Sequence, residues 1–327
     1  MIQLLPPAEA LRPTAIALGS FDGLHRGHRR VIAAICGEAG AAAAGGDGAV
    51  PTVVSFWPHP REVLYGEPRL RLDLPREKLE LLAPLGIRQL VLVPFDLALS
   101  RLSPAAFVRE VLAGQLQARR IAVGDNFRFG AGRSGSAQDL IRLAEPLGIA
   151  VTVLPMLQDA NGRLSSSRIR AALAAADLAG AAELLQRPYR FSGQVVRGRG
   201  LGRGLGWPTA NLQVDGRKFL PREGVYAAWA WREPAGLTAA PPMPAVMNLG
   251  PQPTVDPLAP SAVEVHLLDR DVELAGAVLR IEPVRWLRGQ QRFADLQALT
   301  QQIARDADQA RELLVAAADA GGLQPPG

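Results

Sequence analysis

Cysteine is almost absent from this chain of 327 residues: Cys36 stands alone, so no intramolecular disulfide can form and a reducing compartment suits it. Lysine is nearly as scarce. Lys78 and Lys218 are the only two, and neither follows a glycine, which excludes a Gly-Lys-Ser/Thr phosphate loop. Four histidines and one cysteine cannot supply a closed Cys/His zinc site, although His25, His28 and His59 could form an open one. No apolar run reaches the roughly 20 residues a spanning helix needs. The start, MIQLLPPAEALRP, has no basic residue ahead of its apolar ones and is broken by prolines, unlike a signal peptide. The expectation is a cytoplasmic protein with no membrane partner. A formal net charge of +5 could point to nucleic acid, yet the positive charge is nearly all arginine, spread through an Ala- and Arg-rich sequence. No nucleic-acid partner is expected.

Against these absences stands one dense stretch, LGSFDGLHRGH at 18–28. It follows a short apolar run, 14–18, and precedes a helix-like segment from about Arg29, so it reads as the turn between a first strand and a first helix. Gly19, Gly23 and Gly27 let the backbone approach a ligand. Phe21 and Asp22 belong to the same string. His25 and His28, three apart, fall on one face of the first helical turn, where free N–H groups and the helix dipole favour an anion. Two imidazoles there can donate to the oxygens of a polyphosphate and stabilise charge during transfer.

Up to about residue 185, apolar runs at 14–18, 52–56, 89–93, 120–123 and 149–154 alternate with helix-like stretches at 29–44, 76–85, 104–116 and 137–147. That rhythm implies an α/β domain, residues 1–185, with a parallel sheet covered by helices on both faces. Ligands of such sheets sit beyond the carboxyl ends of the strands, where the histidine turn falls. Three further stretches reach that rim. SFWPHPREVL at 55–64 places His59 and Arg61 in a loop, and GDNFRFGAGRSG at 124–135 offers Asn126 among aromatics and glycines, suited to a base edge. RLSSSRIR at 163–170 sets Ser165, Ser166 and Ser167 between Arg163 and Arg170; the serines are either helix caps or part of a second anion site.

Beyond Arg187-Pro188 the pattern changes. Strand-like runs at 189–196, 224–231, 245–249, 262–268 and 278–286 follow one another without long helices, and a helix-like segment spans 293–318. Residues 186–327 therefore read as a small antiparallel β-barrel with a closing helix, with 233–244 as a hairpin loop. GRGLGRGLGWPTANL at 198–212 is a basic, glycine-rich loop able to wrap phosphates. Its glycines at 198, 200, 202, 204 and 206 alternate strictly, so they do not match the G-x-G-x-x-G spacing. RNA is the competing ligand, but aromatics to stack bases are sparse here. Thr209 and Asn211, two apart on one side of an extended segment, offer oxygens to a hard cation such as Mg²⁺.

The string at 18–28 with the stretches at 124–135 and 163–170 resembles the FAD synthetase module of bacterial bifunctional riboflavin kinase/FAD synthetases. PTAN at 208–211, PREGVYA at 221–227, NLGPQPTV at 248–255 and EVHLLD at 264–269 resemble the riboflavin kinase module. The resemblance implies an enzyme that uses ATP to turn riboflavin into FMN, then ATP and FMN into FAD and pyrophosphate. Flavins are then substrate and product, and Mg²⁺ accompanies the ATP. It further implies that His25, His28 and Arg163 act on phosphate, and that Gly19, Phe21, Asp22, Gly23, Asn126, Ser165, Ser166, Ser167 and Arg170 surround one nucleotide. Gly202, Gly206 and Pro208 surround the other, Thr209 and Asn211 hold its metal, and Glu264 is the base for the ribityl hydroxyl. Three positions depart from the pattern: Ser20 where Asn is more usual, Ser167 where Thr is, and Gln290 where Glu is.

Overall fold

The computed structural model describes residues 2–36, 48–67, 70–197, 206–233, 241–250, 263–270 and 272–319. By compactness the chain divides into two units, Met1–Ser166 and Ser167–Gly327.

The first unit is built on strands β1 (Gln3–Leu5), β2 (Thr14–Leu18), β3 (Val50–Trp57), β4 (Gln89–Pro94), β5 (Ala118–Gly124) and, after short ribbons β6 (Arg128–Phe129) and β7 (Gly135–Ser136), β8 (Ala150–Leu154). They form a six-stranded sheet in the order β1-β4-β3-β2-β5-β8, with parallel pairing throughout. β2 is buried along its whole length because both faces are covered. Its side chains alternate accordingly. Ile16 and Leu18 enter a core with Phe107, Val111, Leu112 and Leu140, from the wide-turned helix Phe107–Gln115 and the helix Ala137–Ala144. Ala15 and Ala17 enter the opposite core with Val31, Ile32, Ile35 and Leu82, from the helices Arg26–Cys36 and Pro75–Leu82.

The parallel α/β expectation thus holds, with one strand added. β1 carries no alternation to announce it, being three residues long and mostly exposed. The buried Gln89 ties the segment after it to the sheet, since its side chain accepts from Leu11 N–H and donates to Leu11 O, both at 2.9 Å. The expected end of the first helix, beyond Cys36, lies outside the described residues.

Chain direction across the sheet reverses between neighbours β2 and β5: β3 and β4 continue to one side, β8 to the other. A crevice therefore opens beyond the carboxyl ends of β2 and β5, where α/β sheets receive ligands. Two more short strands, β9 (Gln158–Asp159) and β10 (Gly162–Arg163), form an antiparallel ribbon after β8.

The helix Ser166–Ala174 starts on the last residue of the first unit, and the rest of it, with the helix Leu178–Leu185, opens the second. β11 (Phe191–Val196), β12 (Ala210–Gln213), β13 (Gly224–Arg232), β14 (Met243–Leu249), β15 (Val263–Leu267) and β16 (Val278–Arg288) then close an antiparallel barrel in the order β11-β12-β15-β14-β13-β16. Directly opposite residues share a face. Tyr226, Met247 and Val265 pair across three strands and are buried, while Val225, Asn248, Glu264 and Asn211 pair on the other face. The helix Leu296–Asp319 lies on that second face, packing Ala307, Ala310 and Leu314 against Ala227, Trp229, Trp231 and Val246. Arg288 forks onto Asp306 of this helix, with Nη2 to Oδ2 at 2.7 Å and Nε to Oδ1 at 3.1 Å. The expected barrel and closing helix are both present.

Candidate active sites

The first site grows from the end of β2. Gly19 N–H still donates to Val54 O at 3.1 Å, and the chain then turns through Phe21, Gly23 and Leu24 at φ of 45°, 89° and 44°. Left-handed backbone at the two non-glycine residues costs on the order of 1–3 kcal/mol each. Neighbours hold the turn in place. Asp22 Oδ1 accepts from Leu72 N–H at 2.9 Å and from Asp73 N–H at 3.3 Å, and Asp73 Oδ2 accepts from Gly23 N–H at 2.8 Å. Lys78 Nζ donates to Ser20 O at 2.7 Å. Asp22, Asp73 and Lys78 are all buried.

The turn delivers the two histidines. His25 O accepts from Arg29 N–H at 3.0 Å, so His25 caps the helix Arg26–Cys36 and His28 lies in its first turn. The rings stack, 3.6 Å between centroids and 19° apart, with the edge of Phe21 against His28. His25 Nδ1 accepts from His28 N–H at 3.4 Å, which leaves Nε2 as the proton-bearing nitrogen of the neutral ring. Burial, reinforced by the charge of Arg163, lowers the His25 pKa to about 4, against the pull of Asp22 and Asp73. His28 is held well below its ordinary value by burial and by His25, Lys78 and Arg163. Both imidazoles are therefore neutral at pH 7. His28 Nδ1 is buried and has no hydrogen-bond partner among the described residues, an unmet capacity in a site otherwise closely bonded.

Two other motifs converge on the turn. Arg163, exposed on β10, is close enough for its charge to bear on both histidines. Ser166 Oγ donates to Asp22 O at 2.7 Å, which brings this serine to the histidine turn. Ser165 precedes Ser166 on the chain, while Ser167 and Arg170 follow in the helix that opens the second unit, where the Arg170 guanidinium lies 5.8 Å from the Phe219 ring centre. Asn126 is exposed in the turn after β5, across the crevice from the β2 turn, and that turn is tied to β8 by Asp125 N–H to Leu154 O at 2.9 Å. His59 goes elsewhere. Its Nδ1 accepts from Arg61 N–H at 3.1 Å, capping the helix Pro60–Tyr65. Among the described residues no three His, Cys, Asp or Glu side chains are grouped to hold a metal, so the open zinc site is not formed there.

The second site lies on the outer face of the barrel. Glu264 on β15 stands directly opposite Asn211 on β12 and Asn248 on β14, so the three side chains form one row. The flanking Val263 and Val265 are buried, and Glu264 is half-buried on the other side of its strand, as alternation requires. Asn248 Oδ1 accepts from Gln290 Nε2 at 2.8 Å, and the same nitrogen donates to Leu249 O at 2.9 Å, which extends the row by a fourth residue. Two places along β15, the His266 ring lies edge-on to Trp207 and its Nδ1 is 2.7 Å from Pro208 O. That contact fixes the entry to β12, so exposed Thr209 and half-buried Asn211 stand beside Glu264. Nearby, a recess of about 210 Å³ is lined by Leu220, Pro221, Arg222, Glu223, Leu249 and others.

Comparison with known proteins decides between two unrelated sites and two parts of one enzyme. Residues 8–168 match the FAD synthetase family and residues 185–314 the riboflavin kinase family. A bifunctional riboflavin kinase/FMN adenylyltransferase from Escherichia coli K12 is 38% identical over 299 residues, covering 91% of both chains. The chain belongs to this bifunctional family. A Pseudomonas fluorescens relative of the same name is 35% identical, covering 95% of this chain and 98% of its own. A crystal structure described as a macrolide-efflux protein from Streptococcus pneumoniae superposes with a TM-score of 0.77 at 25% identity, over 94% of this chain and 98% of that one. Among the described residues of this chain, no helix is long and apolar enough to cross a membrane.

Within the FAD synthetase match the structure brings Gly19, Phe21, Asp22, Gly23, His25, His28, Arg163 and Ser166 around one turn. Within the riboflavin kinase match it brings Asn211 and Glu264 together and places Pro208 and Thr209 next to them. Gly206 lies at the near end of the basic loop, and Gly202 lies outside the described residues, as does the part of NLGPQPTV beyond Gly250. Three residues at these sites escape sequence reasoning: Asp73, Lys78 and His266. Lys78 left one trace, being one of two lysines in an arginine-rich chain, and both lysines prove to be buried.

Proposed function

We infer that the chain phosphorylates riboflavin to FMN on the barrel and adenylylates FMN to FAD at the β2–β5 crevice, each at the expense of ATP. The observation that carries this is a pair of constellations, one within each family match: stacked neutral histidines beside Arg163 in the first, the Asn211–Glu264–Asn248 row in the second. We divide the activities at 185/186, at the start of the riboflavin kinase match and well past the end of the FAD synthetase match at 168, with residues 1–185 adenylylating and 186–327 phosphorylating.

In adenylylation, FMN phosphate attacks the α-phosphorus of ATP and pyrophosphate leaves. No enzyme nucleophile is needed, so the protein's part is alignment and charge stabilisation. His25 donates through Nε2 and His28 through its ring to phosphate oxygens. Their neutrality in the free enzyme spares the site a buried positive charge, and an arriving triphosphate favours their protonated forms. Arg163, Ser165 and Ser166 receive the pyrophosphate end, and Asn126 meets the nucleotide.

In phosphorylation, Glu264 takes the proton from the 5′-hydroxyl of riboflavin as that oxygen attacks the γ-phosphorus of ATP. The basic, glycine-rich sequence at 198–206 supplies positive charge and N–H groups for the ATP phosphates. Thr209 and Asn211 offer neutral oxygens beside the Glu264 carboxylate, a donor set that fits a hard cation arriving with the nucleotide. Mg²⁺ held there would neutralise phosphate charge.

Chromatography of products from riboflavin and Mg-ATP tests the whole reading: FMN and FAD should both form, and excess EDTA should stop both reactions. Full turnover in EDTA would exclude the metal. Gln290→Ala removes the donor to Asn248, a loss worth about two- to tenfold in riboflavin phosphorylation, and should leave FAD formation from FMN unchanged. An unchanged phosphorylation rate would show that Asn248 does not depend on Gln290.

A further inference from the structure

Lys78 is buried, yet it lies outside the motifs that identify the family. Its helix, Pro75–Leu82, packs Leu82 under the β2 side of the sheet, while its ammonium reaches the histidine turn. There it grips the Ser20 carbonyl at 2.7 Å and feels both Asp22 and Asp73. Asp73 in turn accepts from Gly23 N–H at 2.8 Å, and Asp22 accepts from the 72–73 backbone. The segment held by these four bonds is the one with left-handed Phe21, Gly23 and Leu24. A turn so strained keeps its shape only when its surroundings over-determine it. Its last residue leads directly into His25.

We propose that Lys78 and Asp73 are positioning residues for adenylyl transfer: clasping Ser20 O and Gly23 N–H, they fix the turn that aims His25 and His28 at the phosphate being transferred. The inference rests on the adenylylation reading above. Lys78 and Asp73 bond to the backbone of the turn and are not among the groups that the adenylylation reading assigns to substrate. Loss of the clasp therefore misplaces the groups that act in the transition state and leaves substrate binding largely intact, and misplacement by about 1 Å costs on the order of a hundredfold. Burial of the lysine also holds its pKa below the ordinary value, so the Asp22 and Asp73 carboxylates matter for keeping it charged.

The test compares Lys78→Met, Asp73→Ala and Asp73→Asn with the unmodified full-length chain, measuring kcat and KM for FMN and ATP, with riboflavin phosphorylation by the same preparation as a control. Lys78→Met and Asp73→Ala should lower the adenylylation kcat at least tenfold, with both KM values within about threefold. Asp73→Asn keeps an acceptor for Gly23 N–H and should retain more activity than Asp73→Ala. Riboflavin phosphorylation should stay within twofold throughout. An adenylylation kcat within twofold in Lys78→Met and Asp73→Ala overturns the proposal. So does a loss that merely tracks the folded fraction measured by thermal melting, or equal activity in the two Asp73 variants. Should Lys78→Met fail to fold, the Asp73 pair decides alone. Absence of FAD formation by the unmodified chain would instead overturn the activity on which the inference rests.

Discussion

His28→Ala is expected to leave the chain able to make FMN from riboflavin while FAD formation falls by about a hundred- to a thousandfold, the loss that follows removal of one donor from a preorganised anion site. The structure says why the effect should be large. His28 Nδ1 is buried without a partner among the described residues, and its ring stacks on His25 at 3.6 Å, so truncation removes a donor and also the surface that holds the second imidazole. Water entering the gap can solvate phosphate but cannot reproduce fixed alignment. The loss should fall mainly on kcat, because the charge His28 would stabilise develops during transfer. Chromatography should therefore show FMN accumulating from riboflavin and ATP. If His28→Ala stopped FMN formation as well, in protein with a normal circular dichroism spectrum, the two reactions would have to share a site.

What could be read in the sequence, and what could not, follows from how far apart the interacting residues lie. β2 is legible at both ends, because Thr14 and four apolar residues run directly into a glycine turn. The sequence points to a first helix from near Arg29, and the helix begins at Arg26: its cap is the His25 carbonyl, and histidine is not one of the usual cap signals. β12 passed for an extended segment, since a four-residue strand entered through Pro208 and Thr209 and containing Asn211 has little strand propensity of its own. Only pairing with β11 and β15 makes it one.

The same distance rule separates the legible from the hidden residues of the sites. His25 with His28, and Thr209 with Asn211, lie within a few residues of each other, so spacing alone suggested their roles. Lys78 to Ser20 spans 58 positions, Asp73 to Gly23 spans 50 and His266 to Pro208 spans 58. No periodicity records such contacts. Gln290 shows both sides of this. As a departure from Glu it was visible in the sequence, but its bonds to Asn248 and Leu249, which place it at the end of the Glu264 row, needed the fold.

Glu264→Gln should produce the complementary phenotype, with riboflavin left unconverted and supplied FMN still turned into FAD. Glutamine preserves the length and shape of the side chain on β15, so the pairing with Asn211 and Asn248 and the buried Val263 and Val265 should not be disturbed. What is lost is the capacity to accept a proton at neutral pH. A positioned general base contributes about a hundred- to ten-thousandfold, and the phosphorylation kcat should fall by that order. Binding should change much less, because the carboxamide can still accept a hydrogen bond from the flavin hydroxyl. A rise in KM for riboflavin with kcat unchanged would instead make Glu264 a binding residue, with the proton leaving by another route. The decisive control lies in the same tube. His28→Ala and Glu264→Gln proteins mixed together should restore FAD synthesis from riboflavin, since one supplies FMN and the other consumes it. FAD absent from the mixture, with FMN measurably released, would show that the two units must act within one intact chain, and separate sites working through free FMN would have to be abandoned.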